Sequence, residues 1–317
     1  MTSVEPQPLF LPMSAIGSDP RPQLATLIGA DFSALSITPS RADQAPLAVR
    51  AALARFATWD SVEHVDLSQW SVVDLGDAGA IRMTWTDAFE AIRHHADRAW
   101  QLGRFVVALG GDHSVSWPLI ATAAEHSVRT GIVQLDVHHD VRPLEDGPSN
   151  GTPIRGLIEG GIVRSTDIVQ VGIHPFGNKR ALTEYCDHQG IFRYSLRDLD
   201  ELGVEHVAHE ACDKLHACDR IYLTVDIDVL DRAFAPGTVA ALPGGIRPRD
   251  LMALVSAICS DARVMGMDIV EFDPTRDVAD ATAWNVAYAV MSALSAVARR
   301  DTGIRRTDDS IGGWRSV

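Results

Sequence analysis

Positive charge is scarce in this chain of 317 residues. Lys and Arg number 28 against 42 Asp and Glu, for a formal net charge of −14. That balance argues against a nucleic-acid surface and leaves acidity that bound cations could neutralise. Cysteine is scarcer: Cys186, Cys212, Cys218 and Cys259 stand alone, with no C-x-x-C pair. Neither a disulfide framework nor a zinc–thiolate site is supported, and the four read as buried, reduced thiols of a cytoplasmic protein. No window approaches ~20 uninterrupted apolar residues, so no membrane span is expected. Residues 1–23 hold five prolines but no basic start followed by an apolar run, so no signal peptide is expected either. Two catalytic fingerprints are also missing. Gly110-Gly111-Asp112-His113-Ser114 lacks the third glycine of a dinucleotide turn and the lysine of a P-loop, and no G-x-S-x-G surrounds Ser114.

What remains is a chain with 46% apolar and 22% charged residues, enough to build a sizeable core. A proline-rich lead over 1–23, one domain over 24–304 and a mobile tail over 305–317 are expected. Strands are predicted over 24–29, 70–74, 105–109, 131–135, 167–173, 191–194, 220–225 and 264–269. Helices are predicted between them over 46–56, 84–103, 117–129, 153–159, 178–188, 204–217 and 249–260, with a closing helix over 279–300. Strands alternating with helices in this way give an α/β fold with a mostly parallel sheet covered on both faces, either open or closed into a barrel.

The polar residues that carry chemistry follow the strands, which gathers them at the carboxyl edge of one sheet. His113 follows the third strand; Asp136, His138 and Asp140 follow the fourth; Asp226 and Asp228 follow the seventh; Glu271 follows the eighth. Taken singly, each reads as a capped or salt-bridged surface residue. Together they have the composition of an N/O site for Mn²⁺, Ni²⁺, Co²⁺ or Zn²⁺, and four aspartates with two histidines exceed what one ion needs. Two divalent ions fit better, since a metal pair acidifies and orients a shared water. His139 lies between ligands in an extended stretch and must point the other way, which leaves it a supporting or proton-shuttling role. His174 follows a strand and could line the site, whereas His94, His95, His126, His188, His206, His209 and His216 fall on helices without convergence.

Three ordered segments, Gly110 to Ser114, Asp136 to Asp140 and Asp226 to Asp228, resemble the G-G-D-H-S, D-x-H-x-D and D-x-D motifs of the ureohydrolase family, which includes arginases and agmatinases. The resemblance runs from about Leu27 to Ala298. It implies a three-layer α/β/α, arginase-like fold with about eight strands, and two Mn²⁺. One ion would be held by His113, Asp136, Asp140 and Asp226, and the other by Asp136, His138, Asp226 and Asp228. It further implies that Asp140 passes a proton to the leaving nitrogen and that Glu271 pairs with an amidinium or guanidinium group. A homo-oligomer, trimer or hexamer, is the family's expectation.

Where arginases and agmatinases usually have His-Gly, this chain has Asn150-Gly151, within an Asn-Gly-Thr-Pro-x-Arg run that ends at Arg155. That run, with Asp273-Pro274-Thr275-x-Asp277, is similar to bacterial formimidoylglutamases of histidine degradation. The reaction it implies is hydrolysis of N-formimidoyl-L-glutamate to L-glutamate and formamide. Asn150, Arg155, Glu271 and His174 are the expected substrate contacts, and Arg142, Lys179 and Arg180 are further cations at the same edge. Ala283-Trp284-Asn285 departs from relatives that carry Arg there, so a guanidino-compound hydrolase releasing urea, from 4-guanidinobutyrate or agmatine, is the alternative. A metal-binding protein without catalysis is a third reading.

Overall fold

A computed structural model describes residues 8–15 and 17–302. Among these residues eleven strands form, in chain order: β1 (Phe10–Pro12), β2 (Gln23–Gly29), β3 (Trp59–Asp60), β4 (Val65–Asp66), β5 (Ser71–Asp77), β6 (Phe105–Leu109), β7 (Thr130–Leu135), β8 (Ile168–Ile173), β9 (Phe192–Ser195), β10 (Arg220–Asp226) and β11 (Val264–Val270). The helices are α1 (Ala45–Leu53), α2 (Trp85–Gln101), α3 (Ser116–Glu125), α4 (Pro153–Glu159), α5 (Arg180–Gln189), α6 (Leu196–Leu202), α7 (Val204–Lys214), α8 (Pro248–Cys259) and α9 (Ala281–Thr302).

Nine strands make one open sheet in the order β1-β5-β2-β6-β11-β10-β7-β8-β9, and every pairing in it is parallel. This gives the α/β/α architecture with one strand more than the eight expected, because Phe10–Pro12, inside the stretch read as a lead, pairs with β5 at the edge. The short antiparallel pair β3-β4 is also additional. The tail over 305–317 lies outside the described residues.

Alternation along the strands builds two cores, one on each face. Val107, Leu109, Val133, Leu135, Leu223 and Val225 face α1, α7, α8 and α9, meeting Val49, Val207, Leu254 and Val290. Val106, Ala108, Ile132 and Tyr222 face the other way, into a layer with Phe89 and Ile92 of α2, Leu119 and Ile120 of α3, and Leu157 of α4. The α9 helix is, among the described residues, the one long and apolar enough to cross a membrane by length and composition, yet 78% of its apolar window is buried in the fold. All four cysteines are buried and free.

The sheet order positions the site. β6, β11, β10 and β7 are consecutive neighbours, and their ends are level: Leu109 pairs with Ile269, Asp226 with Val270, and Val225 with Leu135. Four polar clusters spread over some 160 residues of sequence therefore emerge side by side, at the carboxyl edge where open α/β sheets bind ligands.

Candidate metal centre

Each ligand-type side chain is turned inward by local backbone chemistry. After β6 the chain passes so close to Phe32 that a Cβ on Gly111 would lie 1.7 Å from the Phe32 carbonyl oxygen. Only glycine fits there, and the Asp112 N–H donates to that same carbonyl at 2.9 Å. Asp112 then accepts from Ser114 N at 3.0 Å and Ser114 Oγ at 2.5 Å, and from Leu35 N at 3.0 Å. This cap holds His113 in place and engages the Ser114 hydroxyl. Asp140 and Glu271 both have left-handed backbones, with φ of 54° and 66°. Such conformations cost about 1–3 kcal/mol each and persist where surrounding structure enforces them, commonly at functional sites.

His113 Nδ1 lies 2.7 Å from Asp140 Oδ2 and 3.2 Å from both Asp136 Oδ2 and Asp226 Oδ2. His138 Nδ1 lies 3.0 Å from Asp228 Oδ2 and 3.4 Å from Asp136 Oδ1. Among the described residues, His113, Asp136 and Asp140 form one group with metal-ligand spacing and Asp136, His138 and Asp228 a second, sharing Asp136. The protonation of His113 follows from its far side. Thr224 Oγ1 donates to Asp268 Oδ1 at 2.6 Å, so it accepts from His113 Nε2–H at 3.1 Å, which turns Nδ1 to the carboxylates. Burial opposes charge on this imidazole, but Asp140, Asp136 and Asp226 override it and raise it well above its usual range, so a cation bound at Nδ1 would displace a proton there. His113 Nδ1, Asp140 Oδ2 and both Asp228 oxygens are buried with no hydrogen-bond partner. Buried polar atoms that converge without hydrogen bonds are costly, and a cation at each of the two groups would satisfy them.

The electrostatics agree. Burial raises Asp226 well above the usual carboxylate range, with the charges of Asp228 and Asp136 adding to it. Burial and Asp136 raise Asp140 to about 6. Burial and the Asp112 charge push Glu271 up to about 8. Burial opposes charge on His138, but Asp228 and Asp136 override it and hold that imidazole at about 12.

A cavity of about 320 Å³ opens on this cluster, lined by His138, Asp140, Asp226, Asp228 and Glu271. Asn150, Arg142 and Lys179 line it too, and the exposed Phe176 sits at its boundary. Glu271 Oε1 accepts from His113 N at 2.7 Å and from Asn150 Nδ2 at 3.0 Å, while its Oε2 is buried without a partner. Arg142 and Lys179 have no carboxylate within ion-pair distance among the described residues.

Three expected residues are not in this lining. Arg155 turns along α4, pairs with Glu159 at 2.6 Å and covers the Tyr185 ring at 4.5 Å. Its i, i+4 spacing to Glu159 was the available signal for a helix-surface pair. His174 Nε2 donates to the Pro243 carbonyl at 3.0 Å and lines a neighbouring cavity of about 330 Å³. His139 lines that second cavity as well, its ring nitrogens meeting Gln170 Oε1 at 2.8 Å and Thr183 Oγ1 at 3.2 Å. Thr224 and Gln134, which touch the candidate ligands His113 and Asp136, and Asp268 and Gln170, which touch Thr224 and Gln134 in turn, are not singled out by the sequence. Their signal was polarity inside otherwise apolar strands.

Comparison with known proteins gives one consistent picture. A family model described as the arginase family matches residues 23–296. A formimidoylglutamase of Halalkalibacterium halodurans is 38% identical over 281 residues, 84% of this chain and 85% of that protein. A formimidoylglutamase of Bacillus subtilis is 34% identical over 275 residues, 84% of this chain and 85% of that one. The crystal structure of formimidoylglutamase from Bacillus subtilis superposes with a TM-score of 0.86 at 30% identity, covering 92% of this chain and 90% of that chain.

Proposed function

The chain belongs to the arginase family, and from that premise we propose that it is a two-metal hydrolase that cleaves N-formimidoyl-L-glutamate into L-glutamate and formamide. The observation that carries the metal part is the convergence of His113 Nδ1, Asp140 Oδ2 and both Asp228 oxygens, buried and without hydrogen-bond partners. His113, Asp136, Asp140 and Asp226 would hold one ion and Asp136, His138, Asp226 and Asp228 the other, with Mn²⁺ the ion the family resemblance implies. Such a pair, when bound, supplies a water acidic enough to attack at neutral pH.

The chain's own residues do the rest. Glu271 presents its free Oε2 to the amidinium N–H groups, a planar, charge-assisted contact that orients the reacting carbon as well as binding it. Asn150 and the His113 N–H grip the other oxygen and fix the plane of the carboxylate. Asp140 takes the proton of the attacking water and returns it to the nitrogen of the leaving glutamate. Water oxygen thereby bonds to the amidine carbon, the carbon–nitrogen bond to glutamate breaks, and formamide and L-glutamate leave. Arg142 and Lys179, both lining the cavity, suit the two carboxylates of this substrate. The reading extends to a cytoplasmic homo-oligomer acting in histidine degradation.

The test is reconstitution of the purified chain with Mn²⁺. Formamide release from N-formimidoyl-L-glutamate is expected, with Asp136→Ala and Asp228→Ala losing both metal and activity. Absence of a stoichiometric divalent ion in the reconstituted wild type overturns the mechanism.

A further inference from the structure

Two glutamines are buried side by side on neighbouring strands of the sheet. Gln134 of β7 and Gln170 of β8 are register partners, both wholly buried, between Val133 and Leu135 and between Val169 and Val171. Valine or leucine would pack there without polar groups to satisfy, so a paired amide in this position calls for a reason. The hydrogen bonds supply one. Gln134 Nε2 donates to Asp136 Oδ2 at 2.7 Å, Gln170 Nε2 donates to Gln134 Oε1 at 2.8 Å, and His139 Nδ1 lies 2.8 Å from Gln170 Oε1.

The direction of every bond is fixed from both ends. The Asp136 carboxylate only accepts, so the Gln134 amide nitrogen faces it and the Gln134 oxygen faces Gln170. Independently, Gln170 Nε2 also donates to the His139 carbonyl at 2.8 Å, which likewise only accepts. Both constraints turn Gln170 Oε1 toward His139, whose Nδ1 must carry the proton. Nε2 then accepts from the Thr183 hydroxyl at 3.2 Å. The backbone of His139 is held as well, its N–H donating to Asn178 Oδ1 at 2.9 Å.

We propose that Gln134, Gln170 and His139 form an orienting relay that fixes the Asp136 carboxylate for the two metal ions, with His139 a positioning residue acting through the two amides. The proposal rests on the reading of Asp136 as the shared metal ligand. Asp136 Oδ1 already accepts from His138 N at 2.6 Å, so the relay sets the remaining freedom of that carboxylate. It also explains why His139, turned away from the cluster, is buried and fully hydrogen-bonded. Loss of the Nδ1–H leaves Gln170 Oε1 without that donor, which loosens the Gln170 amide and, through Gln134, the hold on Asp136.

The experiment is Mn²⁺ titration of the metal-free full chain by calorimetry, with EPR of the Mn²⁺-loaded protein and thermal unfolding of the metal-free form. His139→Leu and the double variant Gln134→Leu/Gln170→Leu are expected to weaken Mn²⁺ binding about 10- to 100-fold, the range for partners that orient metal ligands. The double variant leaves Asp136 Oδ2, the His139 carbonyl and His139 Nδ1–H without these partners, so its metal-free form is expected to unfold at a lower temperature than the wild type, and the Mn²⁺ affinity and EPR spectrum are the readouts that bear on the relay. His139→Asn keeps an N–H near the Nδ1 position and is expected to bind Mn²⁺ close to wild type, with the wild-type EPR spectrum. Wild-type Mn²⁺ affinity in His139→Leu and in the double variant, with only the unfolding temperature changed, overturns the relay. A wild type that binds no Mn²⁺ overturns the two-metal reading, and the relay with it.

Discussion

Replacing Glu271 by glutamine removes a carboxyl group that can ionise against a bound amidinium and changes almost no volume, which makes it a clean probe of substrate orientation. The amide oxygen can still accept from His113 N and Asn150 Nδ2, now at 2.7 and 3.0 Å from Oε1. The amide nitrogen then takes the place of Oε2, which is buried and free of protein partners. An amidinium brought to that position meets a donor instead of an anionic acceptor. A hydrogen bond to a charged group contributes roughly 1.5–3 kcal/mol, and a buried donor facing a donor adds an unsatisfied group to the loss. A total of about 3 kcal/mol corresponds to roughly a hundredfold fall in kcat/KM at 1.36 kcal/mol per decade. The assay is the initial rate of formamide release by Mn²⁺-loaded Glu271→Gln, with metal content measured on the same sample. Full metal content with kcat/KM down about a hundredfold is expected. A variant that keeps its metal and stays within threefold of wild type refutes the orienting role, and loss of metal in step with activity moves Glu271 to the support of the ligands.

Further outcomes follow from other parts of the site. Arg142→Met and Lys179→Met are each expected to raise KM for N-formimidoyl-L-glutamate about tenfold or more with kcat less affected, as checked by steady-state kinetics. Gly111→Ala would put a Cβ into the Phe32 carbonyl, so folded protein is expected to be lost or to unfold at a much lower temperature. The metal-free protein should also respond to pH. Burial and Asp136 raise Asp140 to about 6, and burial and Asp112 raise Glu271 to about 8, both above their unfolded values near 4. Their contribution to stability is complete below the unfolded values and is lost as pH rises through 6 to 8. Bound cations offset that repulsion and must displace those protons, so the rise in Tm on adding Mn²⁺ is expected to be larger at pH 8 than at pH 5.5. An equal rise at both would contradict the charge assignment.

Much of this is legible in the sequence, for physical reasons. Parallel strands buried on both faces read as apolar runs, and ionisable groups gathered at their ends stand out against them; the candidate residues Asp136, Asp226 and Glu271 are visible in this way. Less legible were elements whose sequence carries no period. β1 is a three-residue edge strand at Phe10–Pro12, and its proline sits where an edge tolerates a missing N–H. The direction of side chains on loops was also hidden. Arg155 is the expected substrate contact and Arg142 only a further cation at the same edge, yet Arg142 lines the cavity and Arg155 lies along a helix against Tyr185. Spacing gives the face of a strand, but loop torsions decide where a long cation ends. His139 was placed on the correct side by strand alternation, while its partners Gln134 and Gln170 were passed over as strand interior.

The bond that the protein breaks distinguishes a formimidoylglutamase from a guanidino-compound hydrolase. Mn²⁺-loaded protein should be incubated in parallel with N-formimidoyl-L-glutamate, 4-guanidinobutyrate, agmatine and arginine, with formamide and urea both quantified. Formamide from the formimidoyl substrate and no urea from the guanidino compounds is the expected result. Urea from any guanidino compound, with the formimidoyl substrate untouched, would contradict it.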